Sequence, residues 1–475
     1  MDRVTSGTAV RGVAGVQRPQ RRPLRVPGWW GDAAGVLAWL SMLVVVALWV
    51  AGGGLRDLAD PLGERGLDSA GRLTGLISAD LLLVQVLLMA RVPFIERAFG
   101  QDELARRHRL VGFWSFDLMI AHVVLITLGY AAGDGKGVVG EFVGLTLDYP
   151  GMLLAVAGTA ALTAVVITSV RAARRALRYE SWHLLHLYTY LGVGLALPHQ
   201  LWTGQDFLSN PVASVYWWTL WAVAAVALLT WRVAVPLARS MRHRLVVEAV
   251  VPEGPDTVSV VMRGRDLVGL GAAAGHFFTW RFLDGPGWTR GHPYSLSAAP
   301  TADRLRITAK GDGDAVRRLA ALRPGTRVLL EGPYGRLHGG VRARRRVTLL
   351  AGGIGVAPLR ALLEELPQGP GDVTLVYRAS RVEDVVLKAE LDRLAAGRGA
   401  RVWYALGPRV PGRRTWLPQS AGHLGEAEAL LALVPDVAGH DVYICGAPDW
   451  MDAARDACLA AGVPPDRIHL ERFAW

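Results

Sequence analysis

The sequence predicts a multi-domain chain: a six-helix transmembrane bundle, then a small antiparallel β-barrel, then a doubly wound parallel α/β domain. Three observations carry this expectation. The 475 residues are 51% apolar, and the apolar runs long enough to span a bilayer are concentrated before residue 240. After His243 the pattern changes to short strands punctuated by Gly and Pro, as in a small barrel. From Arg346 it changes again, to strands alternating with helical stretches, the pattern of a parallel sheet covered on both faces. These shifts divide the chain into a basic tail (1–32), a membrane domain (33–240), a barrel domain (241–340) and an α/β domain (341–475).

The tail holds Arg11, Arg18, Arg21, Arg22 and Arg25 ahead of the first apolar run. That run is long enough to span and lacks a convincing small-residue cleavage site, so a retained first helix is expected rather than a secretory or twin-arginine signal. The net charge is +11, yet the only lysines are Lys136, Lys310 and Lys388. Arginines cluster beside apolar spans, which is a membrane-topology pattern, and no recognition motif with interleaved aromatics accompanies them. A nucleic-acid partner is therefore not expected. Cys445 and Cys458 supply neither a disulfide framework nor a zinc site.

Six spans can be drawn at the ~20 residues a bilayer requires, at about 33–54, 73–92, 110–132, 151–170, 182–203 and 213–237. Arg91, Arg97, Arg106, Arg107 and Arg109 lie between the second and third. Arg171, Arg174, Arg175 and Arg178 lie between the fourth and fifth, and Arg239, Arg242 and Arg244 follow the sixth. The alternate loops are sparse or acidic, with Asp134, Glu141, Asp148 and Asp206. The positive-inside rule then predicts a multi-pass cell-membrane protein with both termini cytoplasmic.

Ionisable side chains at bilayer depth are functional candidates by default. His108 and His122, in the third span, are fourteen residues apart. They return to nearly one helix face, separated by ~21 Å along the axis. His186 and His199, in the fifth, are thirteen apart and fall on rather different faces of an ideal helix. Pro198 removes a backbone donor and can kink the helix, bringing His199 back to the inner face. Both spans run in the same direction, so His108 and His186 share one depth and His122 and His199 another. Two facing pairs at two depths are what bis-histidine ligation of two b-type haems needs. His183, one turn before His186, is expected beside a haem rather than on its iron. Asp80 and Asp117 also lie within spans, and the sequence assigns them no chemistry.

In the barrel segment, His292-Pro293-Tyr294-Ser295 is followed by Lys310-Gly311-Asp312-Gly313 and then by Glu331-Gly332-Pro333-Tyr334-Gly335. A planar redox ring needs an aromatic to stack on, a hydroxyl near its reactive nitrogen and close-approaching backbone for its pyrophosphate. Tyr294, Ser295 and the Gly311 turn can supply these, with Lys310 as counter-charge. In the α/β segment, strands are expected at Val347–Leu350, Val373–Tyr377, Val402–Leu406, Val442–Cys445 and Ile468–Leu470. The first leads into Gly352-Gly353-Ile354-Gly355-Val356-Ala357-Pro358, whose glycines let a phosphate approach a helix N-terminus. It is not a G-x-G-x-x-G. The second strand ends in Arg378-Ala379-Ser380-Arg381, where arginine suits a 2′-phosphate, favouring NADPH over NADH.

Over residues 33–475 this arrangement resembles the ferric reductase/NADPH oxidase superfamily. The resemblance implies six helices with two haems, a ferredoxin-reductase-like FAD barrel and a nicotinamide-nucleotide domain. It would put the inner haem on His108 and His186 and the outer on His122 and His199. The family's flavin motif falls on His292 to Ser295, its glycine-rich nucleotide loop on Gly352 to Pro358, and its Cys-Gly nicotinamide motif on Cys445-Gly446. Its terminal flavin-covering aromatic falls on Phe473, with Trp475 as a rival. The implied activity passes electrons from cytoplasmic NAD(P)H through FAD and haems to a small-molecule extracytoplasmic acceptor, oxygen or a ferric chelate. An alternative is relay to a partner protein. Some oxidases of the superfamily carry a further histidine one turn beyond the outer-haem histidine of the third span; Ile126 stands there, against a dedicated oxidase.

Overall fold

The computed structural model describes residues 29–170, 173, 179–254, 256–367 and 369–472. Residues 1–28 of the basic tail, the arginines of the Arg171–Arg178 cluster, Phe473 and Trp475 lie outside the described residues.

The membrane half is built on α1 (Trp29–Ala51), α2 (Glu64–Met89), α3 (Gln101–Asp134), α4 (Met152–Ser169), α5 (Tyr179–Trp202) and α6 (Pro211–Leu229). A π-helical turn, Thr230–Ala234, continues α6 into α7 (Val235–His243). Five helices, namely α1 to α4 and the continuous Pro211–His243, are long and apolar enough to cross a membrane. Only 11% to 22% of the residues in those spans are buried within the protein. Their apolar side chains face outward, as lipid requires and water would not tolerate. The expected fifth span is a helix of 24 residues, α5. Its histidines and Gln200 leave it less apolar than the other five, and it runs unbroken through Pro198.

Local chemistry explains the helix ends and crossings. Asn210 caps α6 by accepting from the Val212 and Ala213 amides at 3.0 and 3.4 Å, and Pro211 occupies the first turn. Small residues let helices approach closely. A Cβ on Gly158 of α4 would sit 2.7 Å from the Gly192 carbonyl of α5, and one on Gly129 of α3 would sit 3.0 Å from the Asp68 amide of α2.

The barrel segment forms two three-stranded antiparallel sheets. One has the order β1-β2-β5 (Val246–Gly254, Thr257–Arg263, Arg304–Lys310). The other has the order β4-β3-β6 (His292–Ser295, Phe277–Phe282, Val328–Tyr334). Isolated bridges Val246↔Arg327 and Leu296↔Ile307 join them around a core that includes Val260, Met262, Phe278, Trp280 and Ile307. Joined at both pairs of edges, β1 to β6 and β5 to β4, the two sheets close into the small antiparallel barrel expected from strand spacing. A helix, α8 (Asp314–Ala320), follows β5.

The last segment is a five-stranded parallel sheet of order β11-β10-β7-β8-β9 (Ile468–Leu470, Asp441–Cys445, Val347–Gly352, Val373–Ala379, Arg401–Leu406). Helices α9 (Val356–Glu365), α10 (Lys388–Arg398), α11 (Glu426–Leu433) and α12 (Pro448–Ala460) connect its strands. Every residue of β8 is buried, as expected for a strand covered on both faces.

Polar contacts seat β6 on the membrane half. Ser240 Oγ of α7 accepts from the Leu330 amide at 3.1 Å, and Arg239 donates to the Gly332 carbonyl. Arg91, just past α2, stacks its guanidinium 4.1 Å from the Tyr334 ring centre. The Arg472 amide donates to Asp102 of α3 at 2.8 Å.

Candidate functional site

The antiparallel crossing of α2 and α3 sets the first pair of histidines. His108 Nδ1 lies 3.3 Å from the Gln85 carbonyl, and His122 Nδ1 lies 2.8 Å from the Gly71 carbonyl. An imidazole whose Nδ1 proton goes to a backbone carbonyl presents Nε2 to a ligand, which is how metal-binding histidines are usually oriented. From α5, His186 faces His108 with ring centres 5.9 Å apart and planes at 71°. Two imidazoles sharing one metal at about 2 Å each hold their ring centres roughly 6 Å apart, so this pair fits a shared haem iron. Trp182 stacks on His186 at 5.1 Å, and Ser169 Oγ lies 3.4 Å from His186 Nδ1. His199 is within charge-interaction range of His122; its Nδ1, beside the Ala196 carbonyl, makes no well-formed hydrogen bond. His183 lies within charge-interaction range of Arg232 and Arg281 as well as of His186.

In the barrel segment, β4 carries the His292 to Ser295 motif. The His292 and Tyr294 rings stack at 6.3 Å, and Trp280 Nε1 donates to the Tyr294 carbonyl at 3.0 Å. Burial pushes the Tyr294 phenol up to about 12. Ser295 Oγ is buried with no hydrogen-bond partner. A buried orphan hydroxyl is costly unless something bonds to it, and a flavin ring nitrogen suits it. Lys310 donates to Asp384 at 2.8 Å, tying β5 to the nucleotide sheet. Gly311 has φ +148° and Gly332 φ +146°.

The glycine-rich loop joins β7 to α9. A Cβ on Gly355 would lie 2.1 Å from the Cys445 carbonyl, and Cβ atoms on Gly352 and Gly446 would meet the Trp450 ring at 2.9 and 2.7 Å. These glycines therefore press the loop onto the end of β10. Gly353, at φ +55°, has open space on its side-chain side. Pro358 is buried in the first turn of α9. Cys445 is buried, and burial followed by the Glu471 carboxyl pushes its thiol up.

The arginines proposed for a 2′-phosphate divide. Arg378 is buried in β8, donating to the Ala379 carbonyl and, at 3.0 Å, to the Pro408 carbonyl. Its charge is turned into the sheet because β8 has no solvent face. Arg381 is exposed and pairs with Asp384 at 3.1 Å, and Ser380 beside it is exposed.

Two acids escaped the sequence reading. Glu331 is 2% exposed and receives Arg232 of the π-helical turn at 2.5 Å, Arg281 of β3 at 3.3 Å and the Tyr334 hydroxyl at 3.1 Å. The charged Arg232 inside an apolar span was the available signal. Glu471 is buried with Oε2 unpartnered, and a Cβ on Gly335 would touch that atom at 2.5 Å. Burial, then Asp102 and Glu96, push its carboxyl well above the usual range.

Two family models match the chain: the ferric reductase like transmembrane component over residues 74–197, and the oxidoreductase NAD-binding domain over residues 349–456. Among similar proteins is the ferredoxin reductase component of 3-ketosteroid-9-alpha-monooxygenase of Mycolicibacterium smegmatis. It is 34% identical over 48% of this chain and 65% of its own length. The ferredoxin–NAD(+) reductase component of the alkene monooxygenase system of Xanthobacter autotrophicus is 33% identical over 42% and 62%. The chain thus spans less than two thirds of either relative. A solved FAD/NAD-binding domain of nitric oxide dioxygenase from Vibrio cholerae aligns over 49% of this chain and 99% of that one, at 24% identity and a TM-score of 0.40. A ferric-reductase-like membrane segment followed by a nucleotide-binding sheet is the layout of the ferric reductase/NADPH oxidase-like fusions. The two matched segments, in this order, fit that layout.

Proposed function

We propose that the protein is a membrane flavocytochrome b that carries electrons from NADPH or NADH across the bilayer to an acceptor on the opposite face. The observation that supports this most strongly is the His108–His186 pair, at a ring separation suited to one iron, with Nδ1 of His108 turned to backbone. His122 and His199 would hold a second haem. When bound, FAD and two b haems supply hydride acceptance and one-electron transfer; the chain's residues bind, orient and exclude water.

In this reading residues 33–240 form the haem domain, 241–340 the FAD domain and 341–475 the nucleotide domain, with residues 1–32 a tail and both termini cytoplasmic. His292, Pro293, Tyr294 and Ser295 bind the flavin ring, with Ser295 Oγ donating to it. Lys310, Gly311 and Gly332 bind near its pyrophosphate once Lys310 is released from Asp384. Gly352, Gly353, Gly355 and Pro358 cradle the nucleotide phosphates at the start of α9. Cys445 and Gly446 close over the nicotinamide, and Phe473 covers the flavin. Ser380 and Arg381 read the 2′-position of the ribose. Arg378 supports that strand end from within.

The acceptor of this reading is a ferric chelate or oxygen, the latter giving superoxide. A second reading, relay to a protein partner, draws on the reductase-component names of the relatives.

The test is anaerobic addition of NADPH or NADH to the purified protein, with haem reduction followed by absorbance. Reduction by either nucleotide is expected, with loss of it in His108→Leu and with reduction of a single, inner haem remaining in His199→Leu. No reduction by either nucleotide overturns the scheme. Reoxidation by oxygen, by ferric chelate, or by neither without an added protein selects the acceptor.

A further inference from the structure

Hydrogen-bond donors without acceptors gather where the short helix Pro93–Phe99, which joins α2 to α3, meets the barrel and the nucleotide sheet. His276 stands just before β3 and His338 four residues past β6, and their rings lie 4.6 Å apart with planes at 57°. The Ala273 amide donates to His276 Nδ1 at 3.0 Å, and the Gly340 amide donates to His338 Nδ1 at 3.1 Å. Burial first, then the neighbouring rings and arginines, push His338 down to about 4 and His276 well below its ordinary value, so both are neutral. A neutral imidazole that accepts at Nδ1 carries its proton on Nε2. Both rings thus offer an Nε2–H, and neither finds an acceptor among the described residues.

Two arginines join them. Arg97 of the short helix and Arg336, two residues before His338, are exposed and make no hydrogen bond or ion pair among the described residues. Arg97 is within charge-interaction range of both His276 and His338, and Arg336 is within range of His338. Arg336 lies against the end of the short helix, since a Cβ on Gly100 would sit 3.2 Å from its Cδ. Arg239 of α7 adds a third positive charge within range of Arg97.

The carboxyl groups around this junction are engaged elsewhere. Glu96 is buried against Arg91 at 3.0 Å, and Asp102 accepts the Arg472 amide at 2.8 Å. Glu365 accepts the Ala274 amide at 2.9 Å. Asp441 holds His469, the next ring beyond His338, at 2.8 Å. Glu471 is buried with its carboxyl pushed well up, and so is neutral. Two guanidinium groups and two imidazole N–H groups are left without a protein acceptor. Like charges gathered in this way repel one another unless an anion lies between them. Arginine forks beside neutral N–H donors suit a phosphate, which accepts at several oxygens at once. The short helix follows directly on the membrane-spanning α2, and its Phe94 is 39% exposed, which sets the group near headgroup level.

We propose that Arg97, Arg336, His276 and His338 form a binding site for a phosphate group, which clamps the short helix of the membrane half to the junction of barrel and nucleotide sheet. The arginines supply the charge, and the two Nε2–H groups supply oriented neutral donors. Two sources carry this chemistry: the headgroup of an anionic phospholipid, which the depth of the short helix allows, and free phosphate. The site goes beyond the electron path and does not rest on it.

The test uses the full chain in lipid nanodiscs at one ionic strength, with FAD and NADP+ added to fill the other phosphate-binding loops. One arm uses pure phosphatidylcholine and titrates inorganic phosphate against chloride. The other uses phosphatidylcholine and phosphatidylglycerol in equal parts, without phosphate. Hydrogen exchange is read over residues 93–100 and 336–340, where the Gly340 amide sits on His338 Nδ1. An anion at about ten times its dissociation constant should slow local opening about tenfold. Slowing in the first arm alone names free phosphate, in the second alone a lipid headgroup, and in both the shared chemistry. Arg97→Gln and Arg336→Gln alter exposed side chains that form no hydrogen bond in the protein, so the fold should hold and each should abolish the slowing. Arg263→Gln, at an exposed arginine of β2, should keep it. No slowing of the wild type in either arm, slowing that persists in either of the first two variants, or equal loss in Arg263→Gln overturns the proposal.

Discussion

Replacing Glu331 by Gln tests how the soluble half is held on the membrane. The carboxylate is 2% exposed and faces Arg232 at 2.5 Å and Arg281 at 3.3 Å, with side chains 30% and 28% exposed. Breaking a buried ion pair by neutralising one partner costs about 3 to 5 kcal/mol, because the other charge is left uncompensated. The arginine heads are partly wet, so about 2 kcal/mol is the reasonable figure here, roughly a thirtyfold rise in local opening. Hydrogen exchange over β6 and α7 reads this directly, since the Leu330 amide is protected by Ser240 Oγ. The acceleration should be confined to those segments. Burial alone would raise the Glu331 carboxyl, but Arg232, Arg91 and Arg281 outweigh it and hold the group below its ordinary 4.5. A lowered carboxyl stabilises above its ordinary value and loses that contribution as pH falls through and below it, so the contact should loosen only in acid under about pH 4.5. Glu248→Gln, at an exposed pair with Arg304, serves as control and should change nothing measurable. Unchanged exchange over β6 in Glu331→Gln would refute the electrostatic account.

Other outcomes follow from burial. Neither cysteine should react with a maleimide at pH 8 in the native protein, because both are buried and burial pushes both thiols up; unfolding should release two, and one native reactive thiol would contradict the placement. Burial first, then His469, Arg336 and Arg97, push His338 down to about 4. A lowered histidine stabilises above its ordinary 6.5 and loses that as pH falls towards about 4, so denaturant stability should drop over this interval by up to about 3 kcal/mol. His338→Gln should flatten that drop, and an equally steep profile in the variant would refute it.

The parts that were legible are those with local causes. A bilayer demands long apolar helices, and the helices lie where those runs lie. The strands Val347–Gly352, Asp441–Cys445 and Ile468–Leu470 fall within two residues of the expected ends, because parallel strands buried on both faces are continuous apolar runs. The strand order of the barrel was not legible, since β3 pairs with both β4 and the distant β6, and no local pattern encodes that closure. Arg378 misled for a related reason: at the end of a strand it reads as a ligand-facing charge, but full burial of β8 turns it to backbone carbonyls. Arg232 signalled a charge needing a partner, but the sequence could not name Glu331 because the two arginines it meets lie 99 and 50 residues away.

The two histidine helices are not held alike. On α3 the spacing of His108 and His122 matches the spacing of Gln85 and Gly71 on the antiparallel α2, fourteen residues in each case. One helix therefore fixes both rings in the same way. Gly75 makes this possible, since its Cβ would lie 2.5 Å from His122 Nδ1. On α5 the His186 Nδ1 meets a serine hydroxyl, Ser169 Oγ at 3.4 Å, in place of a backbone carbonyl, and His199 Nδ1 has no well-formed hydrogen bond. The thirteen-residue spacing of α5 thus adapts to α3. Gly75→Ala should drive His122 off the Gly71 carbonyl, an overpacking cost of about 1 to 3 kcal/mol. On the proposed function, haem content in that variant should fall from two per chain towards one, with the His108–His186 site retained. Gly194→Ala on α5, where an added Cβ meets nothing within 4 Å, should keep both. Two haems with an unaltered spectrum in Gly75→Ala would show that α2 does not position His122.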